Sequence, residues 1–194
     1  MEFLAIDLRD NAGGLLKAAV AVLGHFFKKD EVVVSIDGRA REGKISYRSA
    51  GRGKHSCPIV ILMNEGSASA SEITSGALKD NNRAILVGEK TYGKGLVQGI
   101  NRLDDGSGVN ITIARYLTPN DTDINQKGIT PDVQVKVTSK DYKNHKGPWW
   151  LDPDGPETER SPKDMKDTQL KKALEVLKEK LASKKKARGS IAMG

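Results

Sequence analysis

Pro58-Ile59-Val60-Ile61-Leu62-Met63-Asn64-Glu65-Gly66-Ser67-Ala68-Ser69-Ala70-Ser71-Glu72-Ile73 changes character twice within one short stretch. It begins as an unbroken apolar run, the pattern of a strand covered on both faces. Asn64-Glu65-Gly66 breaks the run, and an alanine-rich stretch from about Ala70 to Asn81 then reads as a helix. Strand, turn and helix make one βα unit. Open α/β sheets place their sites at such junctions, beyond the carboxyl end of the strand.

Upstream the same order recurs. Phe3 to Leu8 reads as a buried strand, Asp10-Asn11-Ala12-Gly13-Gly14 as a turn, and Leu15, Leu16, Ala19, Leu23, Phe26 and Phe27 fall at helical spacing. Glu31 to Ile36 is a β-branched strand, followed by an Asp37-Gly38 turn and a return strand over Lys44 to Ser49. Downstream, Ala84 to Gly88 is a short apolar strand, Gly93 and Gly95 mark a loop, Val109 to Tyr116 alternates as a strand with one exposed face, and Val133 to Val137 is the last strand candidate. The expected fold class is α/β, a core of stacked βα units on a mainly parallel sheet, occupying residues 1–138. Residues 139–162 read as a Pro/Gly/Asp-rich linker in which Trp149-Trp150 is an aromatic anchor. Residues 163–194 read as an amphipathic helix and basic tail, with Leu170, Leu174, Leu177 and Leu181 forming the face that packs back on the core.

The 194 residues carry 32 Lys or Arg against 25 Asp or Glu, a net charge of +7. Much of this excess lies in the C-terminal helix and the run Lys184-Lys185-Lys186, where it reads as a solvated face and gives no reason to expect a nucleic-acid partner. The single cysteine, Cys57, excludes an internal disulfide and reads as a small buried residue at a strand start. No segment approaches the roughly 18 apolar residues of a membrane span. The N-terminus lacks the basic-then-apolar layout of a signal peptide. No metal or cofactor is expected.

Serine at a strand-to-helix turn has an exposed hydroxyl, and the free N–H groups of the first helical turn can hold a developing oxyanion. Ser69-x-x-Glu72 is equally a capping box, and taken by itself favours the cap. Three serines in five residues leave the nucleophile open, and no G-x-S-x-G elbow chooses among them. His25, His55 and His145 have no context of a catalytic base. A lysine drawn inward against apolar surface can serve instead as the neutral amine. Lys94, between Gly93 and Gly95 with Tyr92, Leu96 and Val97 beside it, is that candidate. Gly88 to Lys94 also fits the phosphate-loop pattern G-x-x-x-x-G-K, but Gly95 stands where Ser or Thr is required and the next residues read as a strand.

Taken in order, several segments resemble the carboxyl-terminal processing, or tail-specific, proteases of serine peptidase family S41. These are Asp7-Leu8-Arg9-Asp10-Asn11-Ala12-Gly13-Gly14, Gly66 to Ile73, Gly88 to Gln98, Gly106-Ser107-Gly108-Val109, Ala114 to Pro119 and Gly128-Ile129-Thr130-Pro131-Asp132. The resemblance spans roughly Phe3 to Val137. It implies a crotonase-like or Clp-protease-like core, with Ser69 as nucleophile, Lys94 as base and Gln98 orienting the lysine. The backbone N–H groups of Gly14 and Ala70 would form the oxyanion hole. Asp80, matching a position sometimes discussed as functional, reads as structural. The implied reaction is cleavage of disordered protein C-termini through an acyl-enzyme. Family members usually place an N-terminal helical region and a PDZ domain before the Asp-Leu-Arg motif. Neither is present, which leads us to expect an unpaired sheet edge open to self-association. The implied compartment is extracytoplasmic, the periplasm or thylakoid lumen. Two other functions fit such a core: a non-catalytic binding module of the same fold, and a crotonase-type enzyme acting on an acyl thioester.

Overall fold

The computed structural model describes residues 1–38, 43–51, 53–151 and 165–191, with side chains placed through residue 183 of the last helix. The apolar run is strand β4 (Ile59–Met63), and all five of its residues are buried. It lies at the centre of a parallel sheet whose other strands are β1 (Leu4–Asp7), β5 (Ala84–Gly88) and the two-residue β8 (Val133–Gln134), in the order β1-β4-β5-β8. Leu4 is opposite Ile59, and Ile59 opposite Ala84.

The period-two alternation of β4 explains its composition. Ile59, Ile61 and Met63 point into one core with Ala19 and Leu23 of α1 (Leu16–Leu23) and Ile73, Ala77 and Leu78 of α2 (Ala70–Asp80). Val60 and Leu62 point the other way, into a second core with Ala173, Val176 and Leu177 of α4 (Thr168–Ile191). A strand between two helical layers has no polar face, so it reads as continuously apolar. The expected return of the C-terminal amphipathic helix onto the sheet is realised by α4.

The strands that do not belong to β4's sheet make a second, wholly antiparallel one. Its order is β3-β2-β7-β6, from β3 (Lys44–Arg48), β2 (Val32–Gly38), β7 (Gly108–Leu117) and β6 (Leu96–Arg102). The parallel sheet read from the sequence is present, and this antiparallel sheet refines the expectation of a mainly parallel core. Local alternation identifies a strand but does not say which sheet it joins. β8 is also shorter than the five residues expected. The Val135 N–H still bonds Gly88 O at 2.9 Å, but the Val135 carbonyl is taken by Gln169 Nε2 at 2.8 Å, so the ladder ends there.

Cys57 is buried just before β4, as its context suggests. Asp80 ends α2 and accepts the Asn120 N–H at 2.9 Å, a structural bond to the loop after β7. Among the described residues no helix is long and apolar enough to cross a membrane.

Candidate active site

The site forms where β4 turns into α2. Ser67 and Ser71 both spend their hydroxyls on the loop after β1: Ser67 Oγ donates to Leu8 O at 2.6 Å, and Ser71 Oγ to Asn11 O at 3.0 Å. Both are buried. Ser69 is different: half-buried, with φ 56° and ψ −116° immediately before the helix. For a residue with a Cβ this is a costly conformation, of a kind that clusters at functional turns. Ser69 and Glu72 form a capping box in which Glu72 Oε2 accepts the Ser69 N–H at 2.9 Å, and the Glu72 N–H also donates to the Ser69 carbonyl at 2.9 Å.

Glu72 is the residue whose role the sequence reading missed. Its side chain is completely buried and accepts four hydrogen bonds. Oε1 takes Thr91 Oγ1 at 2.5 Å and the Gly93 N–H at 2.7 Å; Oε2 takes the Ser69 N–H at 2.9 Å and the Lys94 N–H at 2.8 Å. One carboxyl oxygen thus receives the main chain of both Ser69 and Lys94, which makes the two backbones neighbours across a single atom. Capping explains only the Ser69 bond; the other three come from residues 19 to 22 positions later in the chain. The legible signal was a glutamate in the first turn of a helix whose other charged residues, Lys79 and Asp80, come only at its end.

The loop Thr91–Gly95 is fixed from its other side as well. The Tyr92 N–H bonds Ser67 O at 3.0 Å, and the Ile129 N–H bonds Thr91 Oγ1 at 2.7 Å. At Gly95 a Cβ would lie 2.4 Å from Asn125 N, so the backbone passes too close there for any side chain. Strand β6 follows at once, with no helix to aim a dipole, so the phosphate-loop pattern of Gly88 to Lys94 is coincidental.

Lys94 itself is exposed, not drawn inward as its neighbours led us to expect. Tyr92 and Leu96, read as its apolar cover, are themselves 70% and 38% exposed. Gln98 lies on β6 beside an irregularity in the pairing with β7 and is exposed. No hydrogen bond joins Lys94 Nζ to Ser69 Oγ or to Gln98 in the free chain. The histidines are elsewhere: His25 and His55 pack with their rings 6.4 Å apart, and His145 follows α3 (Ser139–Lys143).

The turn-rich loop Asp10–Gly14 closes the site. Asn11 O accepts the Ala68 N–H at 3.0 Å, and the Asp10 N–H bonds Asn64 Oδ1 at 2.8 Å. Gly13 fits directly against the serine. A Cβ there would fall 2.5 Å from Ala68 O and 2.8 Å from both Ala70 N and Ser69 Cβ, and its φ is +100°. The N–H groups of Gly14 and Ala70 donate to no acceptor among the described residues. Beside them lies a recess of about 210 Å³, lined with apolar groups from Ile6, Leu8, Leu15, Ala18, Ala19 and Val22. We expect Gly13→Ala to cost at least about 2 kcal/mol through clash and backbone strain. Thermal unfolding checks this, and a midpoint unchanged from the parent would refute the tight fit.

A half-buried serine in a strained turn, two unengaged N–H groups and a neighbouring lysine loop meet at one place, parts from which acyl-transfer chemistry can be built. Comparison with known proteins bears on which kind. Residues 1–135 match the profile of peptidase family S41. The chain belongs to that family. Over 131 residues it is 46% identical to a carboxyl-terminal-processing protease of Picosynechococcus sp., covering 67% of this chain and 31% of that protein. Over 130 residues it is 48% identical to carboxyl-terminal-processing peptidase 3, chloroplastic, of Arabidopsis thaliana, covering 66% and 25%. Among solved structures it resembles a photosystem II D1 C-terminal processing protease at 41% identity and a TM-score of 0.62, covering 70% of this chain and 35% of that one. The S41 chain described here therefore spans about a third or less of the length of these relatives.

Proposed function

We propose that this S41 chain is the core of a serine endopeptidase that cleaves disordered C-terminal segments of proteins, with Ser69 as nucleophile and Lys94 as base. The observation that carries the reading is the Ser69 backbone, strained at φ 56° while the hydroxyls of Ser67 and Ser71 are engaged elsewhere. Such a turn presents Oγ outward at the head of a helix, the logic of a nucleophile elbow.

In the proposed reaction the neutral Lys94 amine takes the Ser69 hydroxyl proton as Oγ attacks the scissile carbonyl. The tetrahedral oxyanion is held by the Gly14 and Ala70 N–H groups. The lysine then gives that proton to the departing amine, leaving an acyl-serine; water, deprotonated by the same amine, releases the acid. The apolar recess beside Gly14 suits an apolar residue on the acyl side of the cut. An apolar peptide lying over the exposed Lys94 would exclude bulk water from the site. Gln98 is proposed to steady the lysine in that bound state. The family resemblance and the named chloroplast relative support an extracytoplasmic or thylakoid setting.

The test is labelling with a fluorophosphonate, located by mass spectrometry, together with hydrolysis of a disordered, apolar-tailed peptide. The expected adduct is on Ser69 alone. Because the mechanism requires an uncharged amine, turnover should rise with pH. An adduct on Ser67 or Ser71, or an acid optimum with no alkaline limb, would count against the assignment. The exposure of Lys94 and its lack of a bond to Ser69 favour one second reading, a binding module of the same fold. A chain that binds the peptide but neither labels nor cuts would support that reading instead.

A further inference from the structure

Arg9 has a buried guanidinium that no step above uses. The residue is 4% exposed, and its side chain is shared between the two ends of the molecule. Nε and Nη2 bond Asp7 at 3.0 and 2.7 Å; Nη1 and Nη2 bond both oxygens of Asp167 at 3.1 and 2.7 Å; Nη1 also bonds Gln169 Oε1 at 3.1 Å. Burial opposes the charge, but the hydrogen bonds and charges of Asp7 and Asp167 more than offset it, holding the Arg9 pKa above its already high ordinary value. The Trp150 ring covers the guanidinium, 4.9 Å from its carbon. Asp167 is fully buried and has further duties: Oδ1 caps α4 through the Leu170 N–H at 2.9 Å, and Oδ2 accepts the Trp149 N–H at 3.0 Å.

Trp149, Trp150, Asp167 and Gln169 all lie beyond the 135 residues that match the family. They converge on the residue that leads into Asp10–Gly14, the loop that presents the Gly14 N–H and packs Gly13 against Ser69. A buried cation left with half its partners relaxes toward water or toward the remaining charge. The next residue, Asp10, is itself at φ 55°, with little freedom to absorb such a shift.

We propose that the C-terminal segment clasps Arg9 and thereby sets the position of the oxyanion loop, with Arg9 and Asp167 acting as positioning residues for the reaction proposed above. Only the consequence for rate rests on the peptidase reading; the placement of the loop does not.

Asp167→Asn in the full chain isolates the charge, because asparagine caps a helix about as well as aspartate and α4 keeps its start. Amide hydrogen exchange should quicken at least about 10-fold at the hydrogen-bonded amides of residues 10–14, Asp10 and Asn11 above all, while β4 and β5 remain as protected as in the parent. The kcat for a tail peptide should fall about 10-fold or more with KM within about 3-fold. Both tryptophans of the chain are in the clasp, so a red shift of their emission reports its opening. Trp150→Leu, which uncovers Arg9 without unpairing it, should give a weaker version of the same pattern and serves if Asp167→Asn does not fold. Faster exchange confined to residues 149–151 and α4, with 10–14 unchanged, would overturn the proposal. If the parent cuts no peptide, the peptidase reading fails alone, and the exchange result still decides the clasp.

Discussion

Ser69→Ala is expected to fold like the parent and to lose about 10⁴- to 10⁶-fold in turnover of a tail peptide, the size of loss seen when a serine nucleophile is deleted from a preorganised site. The fold should survive because the main bond of the cap, from the Ser69 N–H to Glu72 Oε2, belongs to the backbone and is kept by alanine. Lys94→Ala should show a loss of comparable order, and the double variant should be little worse than either single one, since nucleophile and base act as one unit. The backbone adds a second expectation. A side chain held at φ 56° stores strain on the order of 1 kcal/mol or more, and glycine does not feel it. Ser69→Gly should therefore be inactive and also unfold at a higher temperature than Ser69→Ala. Steady-state hydrolysis and calorimetry on the four variants read both effects. A Ser69→Ala chain retaining a tenth of parental turnover would sink the nucleophile assignment.

Glu72→Gln is expected to be the most destabilising conservative change in the site, at about 3 kcal/mol or more. All four of its partners donate, two to each oxygen. An amide keeps one oxygen and turns an NH₂ group toward the other two donors; on the Thr91 and Gly93 side the Thr91 hydroxyl can rotate to accept, so at least one hydrogen bond is lost and at least one main-chain N–H is set against an N–H inside the protein. For a chain of this length the unfolding midpoint should drop by about 6 °C or more. The variant should also lose part of its reactivity with a fluorophosphonate below the temperature at which it unfolds, because the loop that carries Lys94 is no longer held by both side-chain oxygens. A midpoint within about 2 °C of the parent would show that the carboxylate is dispensable.

The parts of this architecture that were legible in the sequence are those whose cause is local. β4 declared itself because both of its faces are dry, and α2 because small residues follow a polar break. α1 was placed correctly, although its regular helix stops at Leu23 and Phe26 and Phe27 follow in turns. The second sheet was not separable, because β6 and β7 alternate as any half-exposed strand does and their partner is chosen by the chain's path. The candidate site followed the same division. Ser69 and Gly14 lie in short motifs with a mechanical meaning, whereas the exposure of Lys94 depends on how Tyr92 and Leu96 happen to face. Arg9 and Asp167 are 158 residues apart, and nothing in the spacing of either announces the other. Trp149-Trp150 was read as an anchor on composition; that its target is a guanidinium required the fold.

The fourfold acceptor at Glu72 has a consequence for the life of the chain before it is finished. On the acyl-transfer reading, the loop that holds the oxyanion, the serine and the lysine arrive from the ribosome in that order, and the last of them closes on the serine's turn through Glu72 and Ser67. Until Thr91 to Lys94 has emerged, a growing chain has the serine but neither the base nor the contacts that steady the turn. If the proposed tail-cutting activity holds, it is thereby withheld from the chain's own unfolded precursors during the interval in which they would be its nearest prey.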